Sequence, residues 1–170
     1  MENFYKRSEL LFTRFDKYFD SVNSKGTLYL AINTFFIGAV MTNIDKLSTM
    51  FEMTEEVITF IILFLSLCLA STVFVLLAIN PFLNSGTKNG SPSSIFFYGS
   101  IAKYEKEVFI RRLQGITEEE LSNDVGSQIY CLAEGLCYKY SKLKWAGWCI
   151  LFEFIMIVPI TILLTIHLKK

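Results

Sequence analysis

One glutamate, Glu153, lies inside the apolar stretch KWAGWCILFEFIMIVPITILL near the carboxyl end of the chain. A charged side chain in the middle of a membrane-spanning helix is costly, so such residues usually face the inside of a helix bundle and have a polar partner. Asn33, Ser71 and Thr72 are polar residues within the chain's two other apolar stretches. This pattern predicts a hydrogen bond between Glu153 and one of these side chains.

A second group of residues combines positive charge with aromatic rings. Arg111 and Arg112 are adjacent in the sequence. The group also contains the cations Lys25 and Lys103 and the aromatic residues Phe96, Phe97, Tyr98 and Tyr104. Guanidinium groups bind phosphate through paired hydrogen bonds, and a base stacked on an aromatic ring gains roughly 1–3 kcal/mol. The group predicts a site for a small anion, with a solvated or lipid-facing basic patch as the alternative.

The titratable residues do not form a catalytic or metal-binding pattern. The cysteines are Cys68, Cys131, Cys137 and Cys149. His167 is the single histidine, and the sequence has no CxxC motif, Ser/His/Asp set or glycine-rich phosphate loop. We therefore predict a non-enzyme without a metal or cofactor, whose cysteines are reduced thiols. The formal net charge of zero argues against nucleic acid as a partner, since nucleic-acid-binding domains are usually basic.

The composition is typical of a membrane protein. Hydrophobic residues make up 52% of the chain. Three apolar stretches, residues 27–44, 57–79 and 145–168, are candidate transmembrane helices, because about 20 apolar residues cross a bilayer. The first stretch is short and partly polar, so a two-span protein with an amphipathic or buried first segment is the alternative.

The distribution of basic residues predicts the orientation of these spans. Five lysines and arginines precede the first stretch and eight lie between the second and the third, whereas the loop after the first stretch has one. Cytoplasmic segments carry the excess of lysine and arginine. The rule places residues 1–26 and residues 80–144 in the cytoplasm.

This orientation allows the depths of the polar residues to be compared. Glu153 is eight residues beyond Trp145, which corresponds to roughly 12 Å along a helix. Asn33 and Ser71 lie at a similar distance from the cytoplasmic ends of their own stretches. We call Asn33, Ser71 and Glu153 the membrane polar ring. It serves packing within one subunit or lines a subunit interface or pore, unless Glu153 extends to the inner interface instead.

The remaining segments are also predicted to be helical or to connect helices. Residues 1–26 form an amphipathic helix, because apolar residues recur there every three or four positions among basic ones. Residues 80–94, rich in Gly, Ser, Asn and Pro, form a linker, and residues 95–144 form a helical sensor module. Thr117 and Glu120 have the spacing of a capping box that starts a helix continuing into the third span. The predicted fold is an all-α membrane protein with three transmembrane helices, a cytoplasmic helical module between the second and third, and an N-terminal amphipathic helix.

Four short motifs follow one another along the chain. They are NSKGTLYLAIN with Lys25 and Asn33, FFYGSIAKY, ITEEEL, and DVGSQIYCLAEGLCYKYSKL with Asp124, Gln128, Lys139 and Tyr140. In order and spacing they resemble the transmembrane effectors of the bacterial Pycsar antiphage systems. The chain departs from that pattern where Asn23 or Ser24 replaces an aspartate, where a tyrosine is inserted in the aromatic-glycine motif, and where Ser100 replaces a frequent histidine. These departures bear on which base is bound.

The resemblance implies an antiphage defence effector in the bacterial inner membrane. In this family an infection-activated cyclase makes a cyclic pyrimidine mononucleotide, cCMP or cUMP, which the effector binds before it damages the membrane. Because a three-span protomer cannot enclose a pore alone, we expect a homo-oligomer. The expected partners are the cyclic mononucleotide, the lipid bilayer, further copies of the chain and, functionally, a pyrimidine nucleotide cyclase.

Charge, aromatic rings and motifs together predict the ligand-binding residues Lys25, Phe97, Tyr98, Lys103, Arg111, Arg112, Gln128 and Lys139. The two arginines are expected to bind phosphate, and Lys25 either to bind phosphate or to couple the site to the membrane. One of the two aromatic residues is expected to contact the base, and Gln128 a base or ribose edge. Two other functions remain open: a non-toxic membrane scaffold or accessory subunit that docks a protein partner, and a sensor of a cyclic oligonucleotide.

Overall fold

The computed structural model describes residues 2–51, 53–81 and 94–167, and within these ranges the chain is helical and has no strand. The helices are α1 (Glu2–Met50), α2 (Glu55–Ile79), α3 (Tyr98–Ile101), α4 (Lys106–Gly115) and α5 (Glu118–Ile166). Helices α1, α2 and α5 are long and apolar enough to cross a membrane. The all-α prediction with three long apolar helices is therefore confirmed. Most of the predicted linker, residues 80–94, lies outside the described residues.

Two of the helices are longer than any single predicted segment. Helix α1 contains the predicted amphipathic segment from Glu2 onwards, and it continues through the first apolar stretch, residues 27–44. Helix α5 begins after Thr117 and continues through the third apolar stretch, with Pro159 inside it. The capping box is present, since the Thr117 N–H donates to Glu120 Oε2 at 3.0 Å and the Glu120 N–H donates to Thr117 Oγ1 at 3.2 Å.

The chain divides into two compact units. Unit 1 comprises Met1–Asp20 and Pro81–Tyr138, and unit 2 comprises Ser21–Asn80 and Lys139–Lys170. Unit 2 holds α2 and the apolar parts of α1 and α5, while unit 1 holds α3, α4 and the polar parts of the two long helices.

Two glycines of unit 2 allow its helices to approach closely. A Cβ atom at Gly26 of α1 would lie 2.7 Å from Ile79 Cγ2 of α2, and one at Gly147 of α5 would lie 3.2 Å from the hydroxyl of Tyr29. Small residues at such positions are typical of helix packing in membranes, where van der Waals contact replaces the hydrophobic drive. Further along, the Phe36 ring packs edge-on against Phe64 and Phe154, with centroids 5.5 and 5.3 Å apart.

The outer surface of unit 2 is apolar. On α2, Ile62 and Leu69 are 60% and 61% exposed, and on α5 the side chain of Val158 is 60% exposed. Trp145 and Trp148, at the start of the third apolar stretch, are also exposed. Exposed apolar side chains on three long helices match a lipid surface, and tryptophan is enriched where such helices enter the interface. These features describe a membrane protein.

Candidate functional site

The predicted membrane polar ring is assembled inside unit 2. Asn33 of α1, Ser71 of α2 and Glu153 of α5 are 1%, 0% and 0% exposed. The Asn33 carboxamide lies 2.9 Å from Ser71 Oγ, and Ser71 Oγ lies 3.3 Å from the Ala146 carbonyl oxygen. These contacts join all three long helices, because Ala146 belongs to α5.

Glu153 has two further neighbours in this cluster. In the carboxamide orientation that satisfies its neighbours, the Asn33 nitrogen donates to Glu153 Oε2 at 3.1 Å and its oxygen accepts from Ser71 Oγ at 2.9 Å. The Cys68 thiol of α2 is also a neighbour of Glu153. No buried side-chain nitrogen or oxygen of the described ranges lacks a hydrogen-bond partner, so the cluster satisfies its own polar atoms.

Lys139, predicted as a ligand-binding residue, holds the end of α2. Its Nζ atom donates to the carbonyl oxygens of Ala78 at 2.7 Å and Asn80 at 2.6 Å. These are among the last carbonyls of α2, which have no partner within the helix, and a cation is favoured at this end. The side chain is 6% exposed, and its burial lowers the pKa of the Lys139 ammonium. All of these groups lie in unit 2, and two of the three donor positions of Lys139 are therefore occupied by the chain.

Unit 1 has an open depression beside α4. It has a volume of about 680 Å³ and is lined by Tyr104, Val108, Arg111, Arg112, Gly115, Ile116 and Glu120. We call it the arginine depression. Both arginines are exposed, and in the described part of the chain neither guanidinium lies within 4 Å of a carboxylate. The Arg111 Nε atom donates to the Glu107 carbonyl oxygen at 3.4 Å, which directs the side chain along α4.

The depression carries one negative group besides its two cations. Hydrogen bonds from the Thr117 N–H and hydroxyl lower the pKa of the Glu120 carboxyl, and the charge of Arg112 acts in the same direction. Glu120 is therefore a carboxylate at neutral pH. A carboxylate only accepts hydrogen bonds, so Glu120 can bind a hydroxyl or N–H group of a ligand. The two guanidiniums can bind the anionic group of the same ligand.

The segment before α3 is fixed to α5 by one aspartate. Asp124 Oδ2 accepts from the Ile95 N–H at 2.8 Å and from Ser94 Oγ at 3.2 Å. Ser94 Oγ in turn accepts from the N–H groups of Phe96 and Phe97, each at 3.1 Å. Asp124 thus sets where the aromatic segment before α3 lies within unit 1.

The structure brings together some of the predicted ligand residues and leaves others apart. Arg111 and Arg112 line one depression, and the rings of Phe97 and Tyr98 pack together with centroids 4.9 Å apart. The residues outside the lining of the arginine depression are Lys25, Phe97, Tyr98, Lys103, Gln128 and Lys139. Lys25 and Lys103 are exposed, whereas Gln128 is 8% exposed.

Glu120 and Asp124 were not among the residues predicted from the sequence to form a site. A signal for Glu120 exists in the sequence, because the capping box begins at Thr117, only two residues after α4 ends at Gly115. So short a connection keeps the start of α5 near the end of α4. Asp124 belongs to the fourth sequence motif, but its neighbours in sequence do not reveal its partners Ser94 and Ile95, which are 30 and 29 residues away.

Comparison with known proteins identifies the family of the chain. The Pycsar effector protein domain matches residues 8–167. Searches of curated proteins and of solved structures gave no match. The matched range covers α1 from residue 8 onwards, the whole of α2 and α5, the arginine depression and the membrane polar ring. This chain belongs to the Pycsar effector family.

Proposed function

We propose that this Pycsar antiphage effector binds a cyclic pyrimidine mononucleotide, cCMP or cUMP, in the arginine depression and then disrupts the membrane. The observation that carries the proposal is the pairing of Arg111 and Arg112 in one depression of unit 1. Family membership gives the link to a cyclic nucleotide and to antiphage defence.

The chemistry of the depression suits such a ligand. A cyclic mononucleotide has one negative charge on its phosphate, and two exposed guanidiniums provide the charged donors that bind it. The Tyr104 ring lines the same depression and offers a stacking surface for the base, while the Glu120 carboxylate accepts from the ribose 2′-hydroxyl or a base N–H. The volume of about 680 Å³ falls within the usual range for small-molecule sites, roughly 300–1,000 Å³.

The remaining parts of the proposal concern assembly and orientation. Residues 1–26 and 80–144 face the cytoplasm of a bacterium, and α1, α2 and α5 cross its inner membrane. Three spans are too few to enclose a pore, so the active form is a homo-oligomer. A pyrimidine nucleotide cyclase supplies the ligand, and the effector itself acts without catalysis.

Isothermal titration calorimetry of the detergent-solubilised chain tests the site. We expect cCMP or cUMP to bind with saturable heat, and Arg111→Ala/Arg112→Ala to weaken binding at least about tenfold, because two charged hydrogen-bond donors to phosphate are lost. Lys106→Ala is the matched control, since Lys106 is a cation of α4 that does not line the depression. Its affinity should equal that of the unmodified chain.

Three outcomes would overturn this assignment. Full affinity in the double arginine variant would remove the depression as the site. Binding of a cyclic oligonucleotide in preference to either pyrimidine mononucleotide would replace the ligand, and the absence of binding to every nucleotide tested would favour a scaffold.

A further inference from the structure

A groove runs between the three long helices of unit 2, further along the bundle than the membrane polar ring. It has a volume of about 250 Å³. Its lining residues lie within residues 36–47 of α1, 61–64 of α2 and 157–164 of α5, all of which belong to unit 2. We call it the bundle groove. Nothing in the proposed nucleotide site makes use of it.

The bundle groove is open on one side. Ile61 and Phe64 of α2 line it and are buried, so they form its floor, whereas Ala39 of α1 and Thr161 of α5 are exposed and lie at its mouth. The positions that follow lining residues on α1 and α5 carry exposed apolar side chains, namely Met41, Ile44, Val158 and Ile162. The groove is therefore continuous with the apolar outer surface of unit 2, the surface that faces lipid.

The position of the groove along the helices places it in one leaflet of the bilayer. Ile157 and Leu164 are 12 and 19 residues beyond Trp145, which corresponds to roughly 18 and 28 Å along a helix. The hydrocarbon layer is about 30 Å thick, so the groove lies in the half of the layer far from Trp145. On α1, residues 36–47 span roughly 16 Å, close to the thickness of about 15 Å of one leaflet.

The two polar residues that line the groove, Asn43 and Thr161, use their hydrogen-bond donors within their own helices. The Asn43 Nδ2 atom donates to the Ala39 carbonyl oxygen at 2.9 Å and to the Thr42 hydroxyl at 3.3 Å. The Thr161 hydroxyl donates to the Ile157 carbonyl oxygen at 2.7 Å. The other described lining residues are apolar. This surface suits a hydrocarbon chain better than a polar ligand.

An unfilled groove would lose van der Waals contacts along its walls. Apolar cavities exclude water, and one of about 150 Å³ is already large enough to bind benzene. At this depth of the bilayer, the molecules that reach the mouth of the groove are phospholipids, through their acyl chains. We propose that the bundle groove binds one acyl chain of a phospholipid, with the methyl end of the chain towards Phe36 and Phe64.

Such a lipid differs from those on the rest of the outer surface, because its chain contacts α1, α2 and α5 at once. We therefore expect it to stay with the protein when the membrane is dissolved by detergent. The site extends beyond the proposed function, since it concerns unit 2 and requires no nucleotide in unit 1.

Native mass spectrometry of the full chain, extracted from membranes with detergent and measured without nucleotide, tests the proposal. We expect one phospholipid to be retained per chain. Ala39→Phe places a ring in the mouth of the groove, so the lipid-bound fraction should fall at least about tenfold through the loss of apolar contact area. Ala31→Phe is the matched control, at an exposed position of α1 outside the described lining, and should retain the lipid.

Thr161→Phe fills the groove from α5 and replaces Ala39→Phe if circular dichroism shows that the latter does not fold. Its matched control is Thr165→Phe, one turn further along α5 at an exposed position outside the described lining. The proposal is overturned if the unmodified chain retains no phospholipid, or if a folded groove variant retains as much as its control. It is overturned equally if a free fatty acid is retained in place of a phospholipid, or if the groove variants abolish a dimer instead of a bound lipid.

Discussion

The membrane polar ring and the arginine depression satisfy their polar groups in opposite ways. In the ring, three side chains that are at most 1% exposed bond to one another and to the Ala146 backbone. In the depression, two exposed guanidiniums have no carboxylate within 4 Å among the described residues. The polar groups of the ring are hydrogen-bonded within the chain, whereas the guanidiniums of the depression are accessible to a ligand.

The difference follows from the solvent around each region. A buried polar group without a partner loses its hydration and costs about 1–3 kcal/mol, so a buried cluster must be complete before any ligand arrives. An exposed guanidinium without a ligand stays hydrated, so it has no desolvation cost. Substitutions in the buried region should therefore change stability, and substitutions in the open region should change binding.

The largest expected effect is that of Asn33→Asp. It places a second carboxyl group beside Glu153 in the buried cluster, where there is no counter-charge. An unpaired buried charge costs about 3–5 kcal/mol. The free energy of unfolding, measured by denaturant titration in detergent micelles, should fall by that amount. Asn23→Asp, at an exposed position of the same helix, is the control, and an equal loss in both variants would show that the cluster has no special role.

Lys139→Met extends the comparison to a buried cation. The substitution removes both charged hydrogen bonds to the Ala78 and Asn80 carbonyls, so we expect a loss of about 2–3 kcal/mol in the free energy of unfolding. Lys144→Met, on an exposed position of α5, should be nearly neutral in the same titration. If Lys139→Met kept full stability, the ammonium would not hold the end of α2.

Asp124→Asn tests the role of a half-buried carboxylate in unit 1. The amide keeps the shape of the side chain but loses the charge that accepts from Ile95 and Ser94, and a loss of about 1–2 kcal/mol is expected. Hydrogen exchange at the amides of residues 95–97 should also become faster. The exposed Asp16→Asn should change neither quantity, and unchanged exchange in Asp124→Asn would contradict the anchoring role.

Thr117→Ala removes the capping box at an exposed helix start. The loss of a threonine N-cap costs about 1 kcal/mol, and thermal unfolding of the detergent-solubilised chain followed by circular dichroism measures it. Thr13→Ala, in the middle of α1, lacks a capping role and serves as the control. A stability loss in Thr13→Ala as large as that in Thr117→Ala would show that the cap does not matter.

The smallest expected change in stability is that of Arg111→Ala/Arg112→Ala. Because both side chains are exposed and unpaired with carboxylates in the described ranges, the free energy of unfolding should stay within about 0.5 kcal/mol of that of the unmodified chain. This result would show that any loss of binding in the same variant comes from the site itself. A clear loss of stability would instead assign the pair a structural role.

The long helices and the polar ring could be predicted from the sequence for one physical reason. Polar side chains in an apolar bundle need polar partners. The residue count along each apolar stretch places Asn33, Ser71 and Glu153 at a similar depth, which predicts that they contact one another. The start of α5 was equally predictable, because a capping box is a local pattern of residues such as Thr117 and Glu120.

Other parts of the sites depend on contacts that leave no local pattern. The bonds of Lys139 go to backbone carbonyls of α2, and any residue supplies a carbonyl, so its sequence neighbours do not reveal this partner. The Asp124 bonds depend on where the chain returns after residues 82–93, which lie outside the described ranges. For the same reason, the sequence does not predict that Phe97 and Tyr98 lie outside the lining of the arginine depression.

The central claim is that nucleotide binding at the arginine depression leads to membrane disruption, and release of an encapsulated dye from liposomes containing the full chain tests it most directly. We predict that cCMP or cUMP triggers release, that cAMP and cGMP do not, and that Arg111→Ala/Arg112→Ala abolishes the response while Lys106→Ala keeps it. Equal release with and without nucleotide, or an unchanged response in the double arginine variant, would contradict the account.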